Sequence, residues 1–189
     1  MSSVTINNSP VHSDSIITYP YGITDSGYSC GWHTGLDFAP TGSTETNPIL
    51  YPVMDGTVVY VNNTTNVSLG VQVQIQDIDG NYWRYCHLVL NSVQVQIGDI
   101  VTINTPLGRM GQTGNASGIH LHLEYSSTQN WQCSTFLNPA TKLGIPNDIG
   151  TIVKWQGVVP PTPTPTNTNI KLNFKWALYS KKLRNKRRN

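Results

Sequence analysis

Val71-Gln72-Val73-Gln74-Ile75-Gln76, followed by Asp79-Gly80 and then by Asn81-Tyr82-Trp83-Arg84-Tyr85-Cys86-His87, is the stretch that decides the fold class. The first run alternates a β-branched apolar residue with glutamine at every step, the period of an extended strand with one dry and one wet face. Asp79-Gly80 between the two runs predicts a two-residue hairpin turn of the type I′ kind. Further along, Val93-Gln94-Val95-Gln96-Ile97 repeats the alternation and predicts another strand. No stretch carries helical periodicity of any length, and the one helix expected is short, near residues 136–143. The chain therefore reads as all-β: an antiparallel β-sheet domain whose long, Gly- and Asn-rich loops wall a groove.

The hairpin ends on His87, one of five histidines. Two other segments, His33-Thr34-Gly35-Leu36-Asp37 and His120-Leu121-His122, carry three more. In a strand successive side chains alternate faces, so His120 and His122 project together while Leu121 and Leu123 turn to the core. His33 and Asp37 would share a helix face, but Gly35 and Phe38-Ala39-Pro40-Thr41-Gly42 oppose a helix there. Positions four apart share a face in an extended segment as well. Two histidines and one aspartate match the ligand number of a catalytic zinc, which leaves a fourth position for water. The His-Glu-x-x-His helix of many metalloproteases is absent.

A structural zinc would call for four Cys or His ligands. Its nearest candidates are Cys30 and Cys86, yet Cys86 adjoins His87, and neighbours in a strand point to opposite faces. Glu124 lies two residues after His122 on the same strand face. It reads either as a carboxylate that orients a ligand imidazole or as an ion-pair partner of Arg84 or Arg109.

In order along the chain stand Gly31-Trp32-His33-Thr34-Gly35-Leu36-Asp37-Phe38-Ala39-Pro40, Asp55-Gly56-Thr57-Val58-Val59-Tyr60, Tyr85-Cys86-His87-Leu88, Ile97-Gly98-Asp99-Ile100-Val101, Leu107-Gly108-Arg109-Met110-Gly111-Gln112-Thr113-Gly114 and Gly118-Ile119-His120-Leu121-His122-Leu123-Glu124. This series resembles the lysostaphin-type (LytM-like) zinc endopeptidases, which cut peptide cross-links in bacterial cell walls. The resemblance covers roughly residues 18 to 140. It implies one zinc per chain, held by His33, Asp37 and His122, with His87 and His120 unligated beside the zinc-bound water. It implies a hydrolase that cuts peptide cross-links or stem peptides of peptidoglycan. Members that have lost ligands serve as binding or activating modules, the alternative reading; here none of the expected ligands is missing. Histidine suits general base and oxyanion partner alike, since its ordinary pKa of about 6.5 lets it carry or accept a proton near neutrality. Which of His87 and His120 takes which part stays open.

The loop Thr41-Gly42-Ser43-Thr44-Glu45-Thr46-Asn47-Pro48 is longer than the family's usual turn, and the segment before His33 is irregular, with Tyr19, Tyr21, Tyr28 and Trp32 among glycines. These aromatics either shape a peptide groove or pack beneath the loops.

Four segments are expected: a leader over 1–17, the zinc endopeptidase domain over 18–158, a Pro/Thr linker over 159–169 and a basic tail over 170–189. At 189 residues, only 12% of them charged, the chain has room for one domain of ordinary size and an appendage. Residues 1–170 hold four basic and ten acidic residues, net −6, while 171–189 hold eight basic and no acidic ones, net +8. The basic run therefore belongs to the tail, which reads as an anchor to an anionic wall polymer or membrane surface, the stump of a wall-binding domain, or a solvated end. Met1-Ser2-Ser3-Val4-Thr5-Ile6-Asn7-Asn8 has neither the basic nor the apolar region of a secretory signal, and no apolar run approaches a membrane span. The expected site of action is the cell wall, reached as a phage lysin, as a virion-associated wall hydrolase or as a domain cut from a longer precursor. No nucleic-acid partner is expected, and a monomer is. His12 and Asp14 read as solvated leader residues. Three cysteines leave at least one thiol unpaired, which argues against a scaffold built on disulfides; a Cys30–Cys133 bridge and three quiet thiols both stay open.

Overall fold

The computed structural model describes residues 2–41 and 45–157. The linker, the basic tail and the tip of the 41–48 loop lie outside the described residues. In chain order the elements are β1 (Ser3–Ile6), β2 (Ser15–Tyr19), β3 (Gly35–Pro40), β4 (Ile49–Leu50), β5 (Gly56–Asn62), β6 (Val71–Asp77), β7 (Tyr82–Leu88), β8 (Ile100–Val101), β9 (Gly108–Arg109), β10 (Leu121–Ser126), β11 (Phe136–Leu137), α1 (Pro139–Leu143) and β12 (Ile152–Trp155). Nine strands run in the order β1-β12-β2-β3-β10-β7-β6-β5-β8, with β11 added to β10 as the tenth. The pairing is antiparallel except between β1 and β12, and β4 and β9 form a small second sheet. The all-β antiparallel expectation holds.

The short helix also forms, though Phe136 and Leu137 enter the sheet and leave only 139–143 helical. Its ends are set by local chemistry. Asn138 accepts a hydrogen bond from Ala140 N at one end, and Gly144 takes up φ 68° at the other.

β6 and β7 form the hairpin as expected, but by a three-residue loop and not a type I′ turn. Type I′ needs positive φ at both central residues, and of Asp79 and Gly80 only Gly80 has it, at 88°. The Asp77 side chain explains the choice: Oδ1 accepts from Asp79 N (3.0 Å) and Asn81 N (2.9 Å), while Oδ2 accepts from Trp83 Nε1 (3.0 Å). These bonds hold a wider turn that positive φ at Gly80 alone can close.

The glutamine face of β6 is not wet. Gln72 and Gln74 are buried, and Trp131 donates Nε1–H to Gln74 Oε1 at 3.0 Å on this face. The other face is the expected dry one: Val73, Ile75, Trp83, Tyr85, Leu121, Leu123, Leu36 and Phe38 all sit in one core with Leu50, Val53, Leu107 and Met110. Tyr85 ties the sheet to that layer by accepting from Val53 N at 2.9 Å.

Residues 93–97 are not a strand. Val93 and Val95 pack on the core and Gln94 and Gln96 are exposed, so the alternation survives without a ladder. Periodicity reports which face is buried; it cannot supply a neighbouring strand.

The division at residue 17 meets no structural break. β1 and the start of β2 are strands of the large sheet, pairing with β12 and β3. His12 is not solvated: its ring is stacked between Tyr51 (3.6 Å between centroids) and Trp155 (4.2 Å). Burial accordingly pushes its pKa down.

Cys30 and Cys133 form a disulfide across 103 residues of sequence, leaving Cys86 as the free, buried thiol among the described residues. Of the two alternatives the bridge is the one observed. It fastens the loop before His33 to the loop that carries Trp131. Closing so long a loop constrains the unfolded chain, so a Cys30→Ser/Cys133→Ser double variant should unfold about 2–4 kcal/mol more easily. Denaturant midpoints of the two proteins, with and without reductant, would show it; equal midpoints would count against a stabilising bridge.

Candidate metal centre

Three elements converge on one point. β10 lies between β3 and β7, with His122 opposite Asp37 on one side and Cys86 on the other. Residues opposite one another in an antiparallel pair share a face. His33 precedes β3 and is held by a hairpin-like loop in which Gly22 N donates to His33 O (2.9 Å) and His33 N to Ile23 O (2.8 Å). A bulge in β2 brings Tyr19 opposite Asp37, and its ring packs against His33 at 4.7 Å. Gly35 admits the close approach: a Cβ there would lie 2.7 Å from His122 Cε1 and 2.8 Å from Leu123 O.

His33, Asp37 and His122 are all buried, and their donor atoms meet. His122 Nδ1 lies 2.8 Å from Asp37 Oδ1 and 3.0 Å from His33 Nε2, and His33 Nε2 is 3.2 Å from Asp37 Oδ1. Donors about 2.0–2.1 Å from a tetrahedral metal sit roughly 3.3 Å apart, so the spacing fits a small divalent cation. Tautomers fit as well. His33 Nδ1 is 2.8 Å from Pro20 O, and a carbonyl only accepts, so Nδ1 carries the hydrogen and Nε2 presents its lone pair. His122 Nε2 lies 3.1 Å from Glu124 Oε1, with the N–H off the line of a hydrogen bond. A carboxylate on that side leaves the Nδ1 lone pair to the cluster.

The electrostatics favour a cation at the junction. Burial opposes a charged Asp37, yet the flanking imidazoles of His122 and His33 hold its carboxyl well below the usual range. Burial also opposes a charged His122, but Asp37 and Glu124 on either side outweigh it and push the imidazole up to about 9. A field that favours a proton there favours a metal cation in its place as well.

His87 and His120 stand beside the cluster. Their rings are 4.8 Å apart, and His87 is 5.9 Å from the His122 ring. His120 Nε2 is 3.6 Å from Asp37 Oδ2. His87 reaches this side by an unexpected route: it has φ 63°, a left-handed conformation that breaks the strand alternation after Cys86. The expectation that Cys86 and His87 oppose one another is corrected accordingly, since Cys86 already shares the face of His122. The structural-zinc alternative still finds no set of four, because Cys30 is in the disulfide. Each of the two imidazoles points Nδ1 at a carbonyl, His87 at Thr113 O (2.7 Å) and His120 at Gly118 O (2.8 Å). The hydrogen is thereby assigned to Nδ1 and the free lone pair to Nε2. Burial, with the neighbouring His122 and His120, pushes His87 down to about 4, so it is neutral at pH 7.

Glu124 lies beside His122, forms an ion pair with Arg84 and accepts from Thr34 Oγ1 at 2.6 Å, so the ion-pair reading with Arg84 is the one observed. Arg109 pairs instead with Glu45. Sequence reasoning missed Thr34 and the Arg84–Trp131 stack, which only their contacts reveal. Among the aromatic loop residues, Tyr19 and Tyr28 pack on His33, while Trp32 meets Tyr21 and Phe136.

Comparison with known proteins agrees with this geometry. The profile of peptidase family M23 matches residues 31–133, a span that holds all of these histidines and Asp37, and the chain belongs to that family of metallopeptidases. A protein described as an uncharacterized metalloprotease of Buchnera aphidicola subsp. Baizongia pistaciae is 34% identical over 108 residues, 57% of this chain and 25% of that protein. The chain thus spans about a quarter of the length of that curated relative. The catalytic domain of lysostaphin, an antimicrobial peptidase from Staphylococcus simulans, superposes with a TM-score of 0.55 at 25% identity, over 70% of this chain and 92% of that one. A prophage-encoded M23 protein, EnpA of Enterococcus faecalis, gives 0.51 at 26% identity over 66% and 88%. A zinc-containing peptidase from Vibrio cholerae gives 0.52 at 27%, over 64% and 36%.

Proposed function

We propose that the domain is a zinc endopeptidase that hydrolyses peptide cross-links or stem peptides of bacterial peptidoglycan, acting as a monomer and delivered to the wall as a phage lysin or virion component. The observation that carries the reading is the three-donor cluster of His33, Asp37 and His122 with two further imidazoles, His87 and His120, beside it. The likeness to lysostaphin and to a prophage-encoded M23 protein supports the substrate class and the delivery. Zinc suits a set of two imidazoles and one carboxylate; bound there it would polarise the scissile carbonyl and make water acidic enough to lose a proton near neutrality.

The chain's own residues do the rest. His33, Asp37 and His122 would hold the ion. His87, neutral and with Nε2 unprotonated, can take a proton from the attacking water and return one to the leaving amine. His120, with its Nε2 also free, can steady the charge that develops on the carbonyl oxygen once it is protonated. The two can exchange these parts.

Purified walls of several peptidoglycan types, digested and examined by mass spectrometry for new peptide amino termini, test the proposal. The enzyme should create them, and removal of the metal with a chelator should stop it. A module that only binds or activates would bind the walls and create none. We assign the basic tail an electrostatic hold on an anionic wall polymer. Its removal should then weaken wall binding at low salt and leave hydrolysis of a short soluble peptide unchanged, since exposed charges are screened beyond about 10 Å at 0.1 M. Equal binding at low salt with and without the tail would count against the hold.

A further inference from the structure

The registers of β6, β7 and β10 place Gln74, Arg84 and Glu124 in one row across the sheet, next to the row of Cys86 and His122. In that row the two oxygens of Glu124 are divided. Arg84 directs both Nε and Nη2 to Oε2, so Oε1 is left for the Thr34 hydroxyl at 2.6 Å and for the His122 ring, whose Nε2 is 3.1 Å away. The Arg84 and Glu124 side chains are 12% and 2% exposed, so water contributes little to holding this carboxylate. The guanidinium is fixed in turn. Its Cζ lies 4.0 Å from the centre of the Trp131 ring, and Trp131 is held by its bond to Gln74 and by contact with Phe136.

We propose that Arg84, clamped beneath Trp131, is a positioning residue for His122, acting through Glu124; the inference rests on His33, Asp37 and His122 being the metal ligands. A carboxylate held at one oxygen by a single hydroxyl can turn about its Cγ–Cδ bond. A guanidinium fork that fills the other oxygen stops it, and so fixes the negative charge beside His122 Nε2 that orients the ring and presents Nδ1 to the cluster. Lysine offers one point charge in place of the fork and should restore only part of the effect.

The test compares zinc affinity, measured by competition with a chromophoric chelator, in full-length wild type, Arg84→Met, Arg84→Lys and Glu124→Gln. Arg84→Met and Glu124→Gln should each weaken binding by about 10- to 100-fold, the usual cost of losing an outer partner of a metal-bound imidazole. Arg84→Lys should fall between wild type and Arg84→Met. The double variant should lose much less than the product of the two single losses, because both act on one contact. Long-range ¹H–¹⁵N spectra of the zinc-loaded proteins supply the readout that a merely structural role would not move. In Arg84→Met the His122 Nε2–H signal should shift or broaden while the His33 ring signals stay in place. Wild-type affinity in Arg84→Met overturns the proposal, as does a loss that lysine does not lessen and that leaves the His122 signal unmoved. If Arg84→Met does not fold, Arg84→Lys decides: unchanged affinity and an unchanged His122 signal overturn it, and reduced affinity with a moved signal supports it. A wild type without zinc affinity, or an Asp37→Ala variant that keeps it, would instead overturn the ligand assignment.

Discussion

Asp37→Ala should lose high-affinity zinc and with it all detectable wall cleavage. Its carboxylate is one of three donors and the only anionic one, lying 2.8 Å from His122 Nδ1 and 3.2 Å from His33 Nε2. Removing it takes away a ligand and leaves two facing imidazoles with nothing negative between them. The loss in affinity should exceed the 10–100-fold typical of an outer partner. The fold should survive, since β3 keeps Leu36 and Phe38 in the core. Metal content by mass spectrometry, cleavage and thermal unfolding on one preparation check all three expectations. Full zinc occupancy with normal activity would sink the assignment.

His87→Ala and His120→Ala should do the opposite: keep the metal and the fold while turnover falls by about 10²-fold or more, the range for a general base or an oxyanion partner. Neither ring lies in the donor cluster, and each is anchored through Nδ1 to a carbonyl. The left-handed backbone at His87 adds a control. Alanine at φ 63° is less comfortable than glycine, so His87→Gly should match the activity loss of His87→Ala with less damage to stability. A variant that loses its zinc would make that histidine a ligand, and one with near-normal turnover would remove it from the mechanism.

The sequence by itself determined the class of fold and singled out His33, Asp37, His87, His120 and His122, which the structure gathers in one place. Alternation in 71–76 is a local property of the chain, so it specified β6 whatever the strand pairs with. His120 and His122 could be placed on one face because the period of a strand is two, and both do approach Asp37. The candidate ligands were legible because so few residue types can bind a metal, and their order along the chain carried the resemblance to a family.

What the tertiary structure decided is everything that depends on a neighbour distant in sequence. Residues 93–97 alternate as 71–76 do, yet only the latter find partners on both sides. The first 17 residues read as a leader, and only pairing with β12 and β3 makes them strands of the sheet. Gln74 of β6 is buried against Trp131, far along the chain, and the Asp77 carboxylate reshaped the turn that Asp79-Gly80 announced. His87 joins the site through one positive φ that strand alternation does not foresee. The partners of the imidazoles, Pro20 O, Thr113 O and Gly118 O, are backbone carbonyls that every residue possesses. No residue type marks them in a sequence, so only the folded chain could show which nitrogen of each histidine is free.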